Sequence, residues 1–170
     1  IVRRLVGSEM CIRDSIYGTS IFSLFLDQRY GPHVNRLIWE EIGRRGNARL
    51  EHFNRMLLDI QPGGLSVALS QFAVWNYFTG LRVREAYYAE GDKYPLVPTR
   101  DLEVDDGVSA RDEYDLDATA SAYVRLQPRL RGGGIHLKFS AERGSWRRHL
   151  LLVGADSVVV QTLNDEQTSV

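Results

Sequence analysis

The apolar residues of this chain change their repeat partway along. From residue 16 to about Gly80 they recur at helical spacing, and after residue 118 they alternate. A helix buries one stripe at 3.6 residues per turn, whereas a strand buries every second side chain. A chain that uses these two repeats in succession builds its helices first and its strands second, which is an α+β arrangement rather than an interleaved α/β one.

Four helical segments are predicted. In YGTSIFSLFLDQRYGPH, Tyr17, Ile21, Leu24 and Phe25 share a face, Gly31 is placed as a C-terminal stop and Pro32 as the first residue of the next helix. In PHVNRLIWEEIGRR, Val34, Leu37, Ile38 and Ile42 line up, and Arg44 and Arg45 sit where the negative end of the helix dipole favours cations. NARLEHFNRMLLDI takes Asn47 as its N-cap and Leu50, Phe53, Leu57 and Leu58 as its inner side. QPGG interrupts, and LSVALSQFAVWNYFTG, apolar around most of its circumference, reads as a central buried helix ending at Gly80.

Residues 81–118 lack a sustained period and read as a surface linker. They carry Asp101, Glu103, Asp105, Asp106, Asp112, Glu113, Asp115 and Asp117 around Arg111, too much charge and too little apolar surface to order as a core. From residue 119 onward ATASAYVRLQP and GGIHLKFSA alternate, while HLLLVGA and DSVVVQTL are denser and are split at Gly154 to Asp156 by a hairpin turn. Four strands are too few for a complete sandwich. The expected fold is therefore α+β: a four-helix N-terminal part (16–80), a linker (81–118), and an incomplete antiparallel β-sandwich (119–170).

Charge and composition narrow the function classes. With 21 Lys and Arg against 22 Asp and Glu, the 170-residue chain carries a net charge of −1, so no global field draws it to nucleic acid. No apolar run is long enough to span a bilayer.

The sequence offers no catalytic, cofactor-binding or metal-ligating set. His33, His52, His136 and His149 are scattered, with no His or Cys at ligand spacing, and are read as structural or solvated. Gly18-Thr19-Ser20 approaches a nucleophile elbow, but Phe22 replaces the second glycine. Glu40 and Glu41 are adjacent, so on a helix they point apart and make a poor acid–base pair. RGGGIH lacks the Lys and Ser or Thr of a phosphate loop and opens a strand. Asp101, Glu103, Asp105 and Asp112 fit positions 1, 3, 5 and 12 of a calcium loop, yet Asp106 holds the glycine position and Gly107 comes one late. A solvated linker is expected there, with calcium binding outside the EF-hand pattern left open. Trp75, Tyr77, Phe78, Tyr87, Tyr88 and Tyr94 are read as packing between helices and linker, with a sugar or peptide platform as the alternative.

Two resemblances refine this. LVGSEMCIRDS, Leu5 to Ser15, reverse-translates into a string that resembles the transposase mosaic end and adapter used in sequencing-library preparation. Residues 1–15 are accordingly expected to be adapter-derived and disordered, and are set aside from the fold. Because Cys11 is the chain's single cysteine, what remains has no thiol for disulfides, thiolate catalysis or cysteine zinc sites. The chain is expected to be a fragment of a longer protein.

Separately, YGTSIFSLFLDQRYGPHVNRLIWEEI, FAVWNYFTGLR and YYAEGDKYP resemble, in order and spacing, a stretch of secreted bacterial metalloproteases of the HExxH class. The resemblance covers about Tyr17 to Pro95. It implies a zinc peptidase parent, secreted or in the cell envelope, acting on protein or peptide. Its zinc ligands and general base would precede Ile16, so it assigns no catalytic or metal residue here. The fragment would be inactive, with no cofactor of its own; Tyr17 to Gly80 would wall the substrate cleft. A non-enzymatic binding or adhesion module for carbohydrate or calcium is the alternative.

Overall fold

A computed structural model of the chain describes residues 12–47, 49–105, 110–117, 119–129, 135–140 and 146–163. It is an α+β fold with four helices followed by two separate two-stranded sheets, neither closed. The helices are α1 (Ile12–Tyr30), α2 (His33–Arg45), α3 (Leu50–Leu58) and α4 (Gly64–Tyr77). The strands are β1 (Arg100–Val104), β2 (Val124–Pro128), β3 (Arg148–Val153) and β4 (Val158–Leu163).

Local chemistry sets the helix boundaries. Gly31, at φ +99°, closes α1 with a bond from its N–H to the Asp27 carbonyl (2.9 Å), a left-handed conformation that glycine adopts without a Cβ clash. Pro32 then sits at the N-cap of α2, its φ of −65° already helical. The first four residues of α1, Ile12 to Ser15, belong to the segment expected to be disordered. They are helical instead, since extending a formed helix costs far less than nucleating one. Residues 1–11 lie outside the described residues.

α3 departs from expectation at its start and along its sides. Its N-cap is Arg49, in an extended conformation, and not Asn47, whose carbonyl is bonded to His52 Nδ1 at 3.2 Å. Leu57 is buried and Phe53 partly so, but Leu50 and Leu58 are exposed. Leu58 lies about 100° round the helix from Leu57, and the inward stripe runs instead through His52, Phe53, Met56 and Leu57.

Phe25 is the hub of the core. Fully buried, it meets Phe72 at 5.5 Å and Trp75 at 5.2 Å between ring centroids, and Trp75 in turn meets Tyr88 edge to face at 5.1 Å. α3 reaches α4 closely because Gly64 has no side chain: a Cβ there would lie 2.5 Å from Asn54 Oδ1. That same oxygen accepts the Leu65 N–H at 3.0 Å, capping the α4 N-terminus across the interface.

The segment after α4 contributes to this core, although it falls where a surface linker is expected. Tyr88 is 1 % exposed and its hydroxyl donates to Asn76 Oδ1 (2.8 Å). Thr79 Oγ1 donates to the Pro95 carbonyl, Arg82 Nη2 to that of Val97, and the Ala89 N–H bonds Gln28 Oε1 in α1. The Tyr88 and Ala89 bonds tie residues 78–97 to α4 and α1 as a strap, while the Thr79 and Arg82 bonds, with single 3₁₀ turns at Gly80–Arg82 and Gly91–Lys93, close that strap on itself.

Among the strands, β3 and β4 form the expected hairpin, antiparallel, with Leu151 opposite Val160 and the turn closed by the Gly154 N–H on the Ser157 carbonyl (2.8 Å). The other pair is parallel, with Leu102 opposite Leu126, so the described strands are not an antiparallel sandwich. β1 comes from the acidic run itself: Leu102 and Val104 alternate with Asp101 and Glu103, a period of two that the carboxylate count obscures. GGIHLKFSA supplies only one bridge residue, His136, among its described positions.

Candidate functional site

The acidic run shows what its carboxylates do. Asp101 accepts a two-point contact from Arg125 (2.7 and 2.6 Å) and a third bond from Gln127 Nε2 (2.8 Å). Glu103 pairs with Arg129 at 2.6 Å, and Asp112 pairs with Arg100 at 2.8 Å while accepting the Tyr114 hydroxyl at 2.7 Å. The parallel register places each arginine of β2 and its flank beside a carboxylate of β1. Three of the four residues at calcium-loop spacing thus already face a guanidinium. The Arg125 contact holds the Asp101 carboxyl below the ordinary carboxylate range, partly opposed by desolvation. Asp106 and Gly107 lie outside the described residues. A shallow polar depression of about 310 Å³ is lined by Arg100, Arg111, Asp112 and Glu113.

The aromatic cluster is packed ring against ring. Phe78 stacks on Tyr87 (4.2 Å), Tyr88 meets Tyr94 edge to face (5.5 Å), Tyr77 stacks on Tyr123 (6.2 Å), and the Arg82 guanidinium lies over the Tyr77 ring, 4.4 Å from its centroid. Burial pushes the Tyr88 hydroxyl well above its ordinary range and Tyr123 up to about 12, so both stay neutral and act as hydrogen-bond donors. A second depression of about 420 Å³ is lined by Val83, Arg84, Glu85, Tyr88 and Ala89.

The histidines are not brought together. His33 and His136 are exposed, on α2 and in the 135–140 segment. His52 is buried on α3, its Nδ1 bonded to the Asn47 carbonyl. His149 Nδ1 lies 3.2 Å from Thr162 Oγ1 across the β3–β4 ladder, and its Nε2 is buried without a partner. Among the described residues no group of three His, Cys, Asp or Glu is placed to hold a metal ion. Gly18 to Ser20 lie inside α1, where a nucleophile elbow would need a strand-to-helix turn. RGGGIH falls mostly outside the described residues.

Glu40 and Glu41 diverge as helix geometry demands. Glu40 is half-exposed and paired with Arg36 at 3.3 Å, whereas the Glu41 side chain is 4 % exposed and bound by Arg44 (2.6 Å) and Arg45 (3.0 Å), with Arg55 at 3.9 Å. The Arg45 hydrogen bond, with the charges of all three arginines, lowers the Glu41 pKa despite desolvation. Arg44 and Arg45 are legible from their spacing of three and four residues. Arg55, one helix away, is not.

No described helix is long and apolar enough to cross a membrane. No protein-family model matches the chain, and comparison with curated proteins and with solved structures returns no match.

Proposed function

We propose that this chain is a non-catalytic portion of a zinc-dependent peptidase from a secreted or cell-envelope parent. In this reading α1 to α4 and the strap over residues 78–97 wall the cleft, and the strands form an accessory β-rich part. The observation that carries it is where the resembling segments sit. Phe72, Trp75 and Asn76 of FAVWNY, Phe25 and Tyr30 of the first segment and Tyr88 of YYAEGDKYP interlock as one core. The stretches that resemble the peptidases thus meet in one core, to which Leu57, Leu65 and Ala68 from outside them also contribute.

The polar groups support the same role. Glu41, Asp101, Glu103 and Asp112 are each held by arginine, and Tyr88 and Tyr123 are pinned by burial and hydrogen bonds. A general acid or base needs an accessible group free to exchange its proton with substrate. These residues bear structure instead.

Casein hydrolysis tests the reading. The 170-residue chain should show none that a chelator abolishes, and a longer chain carrying the sequence that precedes Ile16 in its parent should show it. Chelator-sensitive cleavage by the 170-residue chain, or a parent with no HExxH before this stretch, would overturn the proposal.

A further inference from the structure

The Glu41 cluster is unbalanced in charge, independently of any peptidase role. Three guanidiniums converge on one buried carboxylate at the α2–α3 junction: Arg44 Nη2 on Oε2, and Arg45 Nε and Arg55 Nη1 on Oε1. The arginine side chains remain 69 %, 46 % and 58 % exposed. One carboxylate neutralises one of the three cations, and the C-terminal end of the α2 dipole offsets only about half a charge more. The neighbouring acids are engaged elsewhere, Glu40 with Arg36 and Glu51 with Arg49 and beside His52. Positive charge is left over at one spot on a chain whose net charge is −1.

The donors are also left over. A guanidinium has five N–H groups in a rigid fork, so three of them carry far more donors than the two oxygens of Glu41 can accept, the printed approaches being Arg44 Nη2, Arg45 Nε and Arg55 Nη1. Because Glu41 is buried and fixed in α2, it acts as a template that holds three otherwise mobile, mutually repelling side chains around one point. That removes much of the side-chain ordering cost an incoming anion would otherwise meet.

We propose that Arg44, Arg45 and Arg55, positioned by Glu41, form a binding site for a compact polyvalent phosphate. A tetrahedral oxyanion with more than one negative charge offers several acceptors to donors arriving from different side chains and matches the residual charge. A single carboxylate would meet only part of either.

Calorimetric titration of the full chain with inorganic pyrophosphate at low ionic strength tests this. Saturable binding is expected, weakened about tenfold or more when both Arg44→Gln and Arg55→Gln are introduced, since a hydrogen bond to a charged group is worth at least that factor. Arg36→Gln, which removes an exposed arginine paired with Glu40, should leave the affinity unchanged. Circular-dichroism melting verifies that each variant is folded, and Arg44→Gln alone, at the most exposed of the three, serves if the double variant is not. Absence of saturable heat, a folded Arg44 variant that binds as tightly as the parent chain, or an equal loss in Arg36→Gln would each overturn the proposal.

Discussion

The Tyr123 hydroxyl, just before β2, donates to the Ala73 carbonyl in α4 at 2.9 Å. An α-helical carbonyl normally accepts from the residue four ahead, so this one takes a second donor from fifty residues away. With the Tyr77–Tyr123 stack, the contact joins the parallel strand pair to the helices.

Removing only that hydroxyl with Tyr123→Phe is expected to lower unfolding stability by about 1 kcal/mol, the usual net worth of one hydrogen bond. Tyr123→Ala should cost about 3 kcal/mol by also removing a partly buried ring. Urea unfolding followed by tryptophan fluorescence measures both, and equal losses would show that the ring alone matters.

The helix core makes a sharper contrast. Phe25→Ala removes the hub ring and should cost about 3 to 5 kcal/mol, a large share of the roughly 5 to 15 kcal/mol that keeps an ordinary domain folded. Trp39→Ala, at a side chain 66 % exposed on α2, should change stability by less than about 0.5 kcal/mol. Gly64→Ala should destabilise in spite of alanine's better helix propensity, because φ is +50° and its Cβ would meet Asn54 Oδ1 and Leu58. Thermal unfolding ranks the three, and an unchanged Gly64→Ala midpoint would contradict the close α3–α4 approach.

Much of this fold is legible in the sequence, and the exceptions share a cause. The Val34–Ile38–Ile42 stripe of α2 and the Gly154 turn of the hairpin are local signals, and the structure has both. Tyr88 and β1 are not local. Tyr88 is buried through a partner in α4, and β1 is stabilised by pairing with a strand more than twenty residues away. Arg55 joins Glu41 only when α3 folds back on α2. No periodicity announces such tertiary contacts, so a charge-rich, proline-containing stretch reads as a linker until its partners are in place.

Stability should fall on acidification in two stages. Burial first, and the nearby Arg147 charge second, hold His149 below its ordinary value of 6.5, so the unfolded chain binds more protons and stability declines as pH drops below that value. Glu41 is shifted the other way, below 4.5. Its contribution is present above 4.5 and is lost as pH falls through the lower folded value. Chemical unfolding across pH 8 to 3 should show the first decline vanish in His149→Gln and the second shrink in Glu41→Gln, the remainder belonging to Asp101, which Arg125 also holds below the ordinary range. Persistence of both at full size in the variants would refute these assignments.

If residues 1–15 are foreign, deleting them should leave the unfolding midpoint nearly unchanged, because Ile21, Phe22, Phe25 and Leu26 supply core contacts of α1 beyond the deleted stretch. A loss comparable to that of Phe25→Ala would show that the first residues belong to the fold.

The zinc content of two dialysed proteins, the 170-residue chain and a longer one including the parent sequence before Ile16, tests the central claim most directly. A non-catalytic portion of a zinc peptidase predicts no bound zinc in the first and one equivalent in the second. Stoichiometric zinc in the first, or none in the second, would contradict it.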